Sequence, residues 1–221
     1  MNIDKKKSVA AQILDIGRRV YERGYVVSND GNISARIDEK TILVTPSGVS
    51  KGRMTEDMLV VVDLDGHILE GKRHPSSETP MHLEVYKLKP EVQAVVHAHA
   101  PIATAFAVAN RPIIEPYCPE MIVGLGEVPV APFGMPSTEE IPASIHGLLD
   151  GHALLLANHG VLTWGQTLDQ AYDYLEQVEY AANLILNVER LGGGVLLSDA
   201  IKERMLGLLD NYKRLAGARE D

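Results

Sequence analysis

The sequence predicts an α/β protein, α+β-like in organisation, whose central and mainly antiparallel sheet is covered by helices. Four strand-like runs follow one another early in the chain, at residues 33–37, 41–45, 59–62 and 67–69, the pattern of a meander. Helical and strand-like segments are then interspersed up to residue 190. The 221 residues suit a single domain spanning 1–221 with a sizeable core, and no repeat, linker or low-complexity tract divides them.

Each element has a local reason. Val9, Ile13, Ile16 and Val20 recur at helical spacing, with Ser8 as the expected N-cap and Gly24 as the stop. Ser28-Asn29-Asp30-Gly31-Asn32 is turn chemistry. A polar turn at 38–40 joins the first two strand runs, and Asp65-Gly66 signals a hairpin between the next two. Thr79 as N-cap and Pro80 at the first helical position open a helix over 79–88. Residues 93–99 read as a strand, the Ala-rich 101–109 as a helix and 128–131 as a short strand. Thr138 is expected to cap a helix reaching residue 149, and 152–158 reads as a buried strand. The longest helix runs over 167–190, opened by a capping box from Thr167 to Gln170 and ended by the glycines at 192–194. A last helix starts near Ser198.

Composition narrows the function classes. The apolar share of 45% is ordinary for a globular protein. With 30 acidic against 21 basic side chains the formal net charge is -9, so nucleic acid and anionic membranes are not expected partners. A small anion is still admissible, because local donors can bind it inside a cleft. The single cysteine, Cys118, cannot form an internal disulfide and fits a reducing cytoplasm. Lys5, Lys6 and Lys7 precede an amphipathic stretch, unlike a signal peptide, and no run of about 18 apolar residues offers a membrane span. A cytoplasmic location is expected.

Chemistry concentrates in histidines. His97-Ala98-His99 ends the strand over 93–99. Alternation puts both imidazoles on one face, about 7 Å apart along the chain, with Val96 and Ala98 facing a core. Two imidazoles on one buried face need a shared reason, and gripping one metal ion supplies it. The plainer reading is two hydrogen-bonded polar residues at a strand end. His159 also ends a buried strand, at a glycine turn. Three strand-end histidines describe a metal site with an open coordination position, expected to hold zinc or another divalent cation. Glu78 precedes a helix N-terminus, where a carboxylate is favoured electrostatically, and beside a metal it would move protons. His67, His74, His82, His146 and His152 are not expected as ligands; His82 and His146 lie in helical patterns and His67 follows a turn.

Three short loops carry small residues and hydroxyls: Gly31-Asn32, Thr45-Pro46-Ser47-Gly48 and Ser76-Ser77. Glycine lets backbone N–H groups approach an anion, and Ser or Thr adds donors. Singly each is an ordinary turn; beside a metal site they read together as a phosphate site. Lys51 and Arg53 follow the second loop and could add positive charge to it, but a solvated surface role is the favoured reading for both.

The ordered set Gly31-Asn32-Ile33-Ser34, Thr45-Pro46-Ser47-Gly48, Pro75-Ser76-Ser77-Glu78, His82, His97-Ala98-His99 and Asn158-His159-Gly160 resembles the class II aldolase and adducin-head family, over residues 8–190 or so. Any one motif is weak, but the set is specific. Within the family it resembles the L-fuculose-1-phosphate aldolases and their relatives. The resemblance implies a sheet-centred fold, a homotetramer with sites at subunit interfaces, and zinc or another divalent ion on His97, His99 and His159. It makes Glu78 the catalytic carboxylate, able to approach the metal when substrate is absent. It sets Gly31, Asn32, Ser47, Gly48, Ser76 and Ser77 around the substrate phosphate. A second acid or base is implied between the histidine strand and the next strand, either Tyr117, as in the aldolases, or Glu120, as in related dehydratases. Tyr212 matches a tyrosine that reaches a neighbouring subunit. The non-catalytic adducin branch lacks the histidines that this chain has, so the resemblance implies an enzyme. The implied reaction is reversible aldol cleavage of a ketose 1-phosphate, of the fuculose-1-phosphate kind, to dihydroxyacetone phosphate and an aldehyde. Sugar-phosphate 4-epimerisation, decarboxylation or dehydration would share the same motifs. Hydrolysis by a zinc-bound water would leave the phosphate loops without a purpose.

Overall fold

The early meander forms as four antiparallel neighbours, β1 (Asn32–Arg36), β2 (Thr41–Val44), β3 (Val60–Asp63) and β4 (Ile68–Glu70). The computed structural model describes residues 3–217, with side chains described through residue 208. The second half of the chain extends the sheet from the other edge of β1. There β5 (Ala94–Ala98) pairs antiparallel with β1 and with β8 (Gly160–Gly165). Beyond β8 lie β7 (Ala153–Leu156) and β6 (Val130–Ala131), the latter joined by a parallel pairing. The order is β4-β3-β2-β1-β5-β8-β7-β6, mainly antiparallel as the sequence predicts.

Helices cover both faces. On one face α1 (Ile3–Glu22), α3 (Pro101–Val108) and α5 (Leu168–Arg190) pack on Ile33, Ala35, Ala94, Val96, Ala98 and Val161. On the other, α2 (Thr79–Leu88) and the short α4 (Glu140–Ser144) pack on Ile42, Val44, Val95, Leu154, Leu162 and Trp164. β1, β5 and β8 are therefore buried along their whole length. Residues that face α2 alternate with those that face α1, and this parity decides where Asn32 and His97 point. A sixth helix, α6, covers Asp199–Gly217. Among the described residues no helix is long and apolar enough to cross a membrane.

Caps and turns follow the sequence where they are local. Thr167 Oγ1 accepts the Gln170 N–H at 3.1 Å, a cap worth about 1 kcal/mol. Gln170 Oε1 answers by accepting the Gln166 N–H at 3.0 Å, one residue before the N-cap. Gly24 takes φ +70° just past α1.

Four expectations are corrected. Ser8 lies inside α1, which begins no later than Ile3 and carries Asp4 in its first turn. Thr79 is the first helical residue of α2, and Glu78 holds the N-cap position without a side-chain cap bond, because its carboxylate is engaged elsewhere. The helix expected from Thr138 to residue 149 is only Glu140–Ser144, followed by turns in which Gly147 takes φ +74°. β8 was not expected as a strand of its own, although it lies inside the sheet between β5 and β7. The run at 160–165 carries no assignment in the sequence; the turn at 157–159 folds it back onto β7, and pairing with β5 completes it as a strand.

Candidate metal and phosphate site

Asn32 and His97 are cross-strand partners on β1 and β5, and both face α2. Glu78, directly before α2, reaches over them: it accepts the Asn32 Nδ2–H at 2.7 Å. His159 arrives from the β7–β8 hairpin, where Asn158 takes φ +57°, a conformation asparagine tolerates. Gly160 lets that hairpin close on the end of β5. A Cβ there would lie 2.6 Å from the Ala98 carbonyl oxygen and 2.8 Å from the His99 ring. Gly31 answers the same demand beneath the site; at φ +72°, its Cβ would lie 2.9 Å from the His97 carbonyl oxygen.

The three imidazoles converge. Their ring centroids are 4.7–5.1 Å apart, and one nitrogen from each lies within 4.8 Å of the others. His97 Nδ1 donates to the Val161 carbonyl at 2.8 Å, since a carbonyl only accepts. In a neutral ring this leaves His97 Nε2 as a bare lone pair. His99 Nδ1 faces the Asp30 carboxylate at 3.5 Å, which turns its Nε2 inward to 3.1 Å from that of His97. Glu78 places Oε1 2.9 Å from His159 Nε2 and Oε2 3.4 Å from His97 Nε2. The His97 lone pair, the inward nitrogens of His99 and His159 and the Glu78 carboxylate therefore converge on one point, an arrangement a cation would complete. The donor set of three imidazoles with an adjacent carboxylate fits a divalent ion such as zinc.

The electrostatics agree. Burial depresses the His97 imidazole to about 3, so the ring is neutral, as a ligand must be. Burial pushes the Glu78 carboxyl up, but the facing imidazoles of His97 and His159 and the Asn32 amide outweigh it and hold the group below the usual carboxylate range. His82 lies apart from the trio in a buried network, its Nδ1 2.7 Å from Ser34 Oγ, which in turn lies 2.9 Å from Tyr86 Oη.

The expected phosphate residues come together. Gly31, Asn32, Ser47, Gly48, Ser76 and Ser77 line one cavity of about 240 Å³ with Glu78, His99 and His159. The second and third loops are tied by the backbone: the Ser47 N–H donates to His74 O at 3.0 Å and the Ser76 N–H to Thr45 O at 3.1 Å. A larger cleft, of about 590 Å³, lies between Lys6, Glu56, Glu70 and Lys72 and has no histidine in its walls.

Other expectations fare differently. Tyr117 is partly buried against the α1, α3 and α5 core, and Glu120 is exposed at the start of a single π turn over Met121–Leu125; neither lines the cavity. Tyr212 belongs to α6, with its side chain outside the described residues. Arg53 is exposed as expected, but Lys51 is not a solvated surface charge: it is buried and lines the cavity. Asp30, behind His99, was not singled out either. Its position next to the Gly31-Asn32 motif was the available signal, whereas nothing local announces the burial of Lys51.

A helix-covered sheet that delivers three imidazoles and a carboxylate to a glycine- and hydroxyl-lined cavity defines a metal-dependent enzyme. Residues 11–186 match the family described as Class II Aldolase and Adducin N-terminal domain, and the chain belongs to that family. It is 38% identical over 182 residues to a 3-oxo-tetronate 4-phosphate decarboxylase of Haemophilus influenzae, covering 80% of this chain and 86% of the relative. It is 36% identical over 173 residues to an L-fuculose phosphate aldolase of Methanococcus vannielii, covering 78% of this chain and 93% of the relative. A solved L-fuculose 1-phosphate aldolase superposes with a TM-score of 0.85 at 30% identity, covering 92% of this chain and 96% of that one.

Proposed function

We propose that this protein decarboxylates a phosphorylated 3-oxo sugar acid of the 3-oxo-tetronate 4-phosphate kind, with a divalent ion, zinc in the first instance, on His97, His99 and His159. The likeness to the Haemophilus influenzae decarboxylase carries this reading. The site chemistry supports it. When C1 of such an acid departs as carbon dioxide, the electron pair of the broken C1–C2 bond stays on C2, conjugated with the C3 carbonyl as an enediolate. A proton delivered to C2 then gives dihydroxyacetone phosphate. Bound at the imidazoles, a divalent cation supplies Lewis-acid stabilisation of the negative charge that develops.

The chain's own residues do the rest. Glu78, ionised at rest, takes up one proton from solvent and delivers it to C2, and Asn32 holds its carboxylate in place through the 2.7 Å hydrogen bond. Gly31, Ser47, Gly48, Ser76 and Ser77 hold the phosphate, whose binding energy orients the reacting end. Carbon dioxide departs without a proton, so Glu78 is the one proton carrier this reaction requires. A homotetramer in the cytoplasm belongs to the same reading, with Tyr212 reaching a neighbouring copy. Exposed Ile114, Phe133, Met135, Leu191 and Val195 offer apolar surface for such contacts.

Aldol cleavage of a ketose 1-phosphate, expected from the sequence, becomes the second reading. The superposition on a fuculose 1-phosphate aldolase favours it. It passes through the same enediolate but also needs an acid or base for the aldehyde oxygen. Metal-loaded protein given 3-oxo-tetronate 4-phosphate is expected to release carbon dioxide and dihydroxyacetone phosphate in equal amounts, the latter read through a coupled reductase. Dihydroxyacetone phosphate from ketose 1-phosphates, with no carbon dioxide from the keto acid, would replace the first reading by the second.

The phosphate assignment has its own test. Ser76→Ala should weaken binding of dihydroxyacetone phosphate by about tenfold, the loss of one hydrogen bond to a charged group, and leave that of dihydroxyacetone unchanged. Equal losses for the two compounds in calorimetric titration would mean that the loop does not read phosphate.

A further inference from the structure

Among the described residues, the buried cation Lys51 has no carboxylate at ion-pair distance. It is 2% exposed, and its ammonium donates to the carbonyls of Asn29 at 3.0 Å and Val49 at 2.8 Å. An ammonium has three N–H donors, so one is left over. No carboxylate among the described residues forms an ion pair with it; Asp30 and Glu78 act on it from farther away. An unpaired buried charge is costly, and a protein that keeps one needs an anion to complete it. Burial lowers its pKa from 10.5 to about 8, which leaves it mostly protonated at neutral pH.

Its place indicates which anion. Asn29 precedes the Asp30-Gly31-Asn32 loop and Val49 follows Ser47-Gly48, so the two carbonyl bonds tie together two of the three loops that line the cavity. Among the described residues lining that cavity, Lys51 is the only lysine or arginine, against the two acids Asp30 and Glu78. With the divalent ion at the imidazoles offsetting the two acids, Lys51 is the cationic side chain left in the cavity wall to answer the charge of a phosphate dianion. Helix α1 seals the other side: a Cβ on Gly17 would lie 2.9 Å from the Lys51 carbonyl oxygen, and one on Gly52 would lie 2.5 Å from the Tyr21 ring.

We propose that Lys51 is a substrate-binding residue that gives its third N–H and its charge to the substrate phosphate while its other two bonds lock the phosphate loops together. The proposal rests on the phosphate role of those loops. It makes Lys51 the charged partner of the loop donors in selecting phosphorylated substrates over neutral ones.

The test titrates metal-loaded native, Lys51→Met and Ser76→Ala proteins with inorganic phosphate, dihydroxyacetone phosphate and dihydroxyacetone. Lys51→Met should bind both phosphates about 10- to 100-fold more weakly, the range for a hydrogen bond to a charged group, with dihydroxyacetone binding and metal content unchanged. A purely structural lysine would lower all three affinities together, and that result overturns the proposal. Native phosphate affinity in Lys51→Met, with a loss in Ser76→Ala, overturns the lysine role alone. Absence of phosphate binding by the native protein overturns both the lysine role and the loop assignment. A second measurement needs no variant that folds. In native protein labelled with ¹³C-lysine, saturating phosphate should raise the Lys51 titration midpoint above its starting value near 8. A midpoint that phosphate does not move overturns the proposal.

Discussion

His97→Ala is expected to lose its divalent ion and, with it, all measurable turnover. The His97 ring is buried between β1 and β8, and its Nδ1 bond to Val161 O fixes which nitrogen faces His99 and Glu78. Alanine removes the donor at the centre of the trio and leaves Glu78, His99 and His159 with no third imidazole. Changes to the groups behind a ligand already lower metal affinity by about 10- to 100-fold, so removal of the ligand itself should exceed that. Metal analysis after dialysis checks the loss directly. Thermal melting checks it independently, because an ion that binds only the folded state raises its stability. Chelator should lower the melting temperature of the native protein and leave that of His97→Ala unchanged. A full complement of metal in the double variant His97→Ala/His159→Ala would remove these residues from the metal site.

Glu78→Gln should keep its metal and lose turnover by about 10²- to 10⁴-fold, the range for a lost general acid or base. Glutamine matches glutamate in shape, and its amide oxygen can still accept the Asn32 N–H that now goes to Oε2. The amide cannot release or take up the proton, so the loss should fall on kcat with little change in KM. Metal analysis of the variant separates a lost proton carrier from a lost ligand. Near-normal turnover would take Glu78 out of the mechanism. Loss of the metal along with turnover would make it chiefly a ligand.

The two experiments touch residues that reached the site by different routes. His97 and His99 were legible as a pair because strand alternation is local: two residues apart means one face, and the apolar Val96 and Ala98 indeed face the opposite core. Glu78 was legible only as a residue before a helix. Its contact with Asn32, 46 positions earlier, comes from the placement of α2 over β1. The capping of α5, the hairpin near Gly66 and the stop after α1 were also local, and they formed as read.

The sequence by itself determined the meander, the residue types of the imidazole trio and the three donor loops, because periodicity, turn chemistry and capping act over a few residues. The tertiary structure alone decided that β8 lies beside β5, bringing the Val161 carbonyl to His97 from 64 positions away and fixing its tautomer. It also decided that Lys51 is sealed beneath α1 rather than solvated, and that Tyr117 and Glu120 stand apart from the cavity. The physical reason is common to all of these. Strand pairing and burial depend on which distant segments close on one another, and that choice is settled by the summed burial of two cores rather than by any window of neighbouring residues.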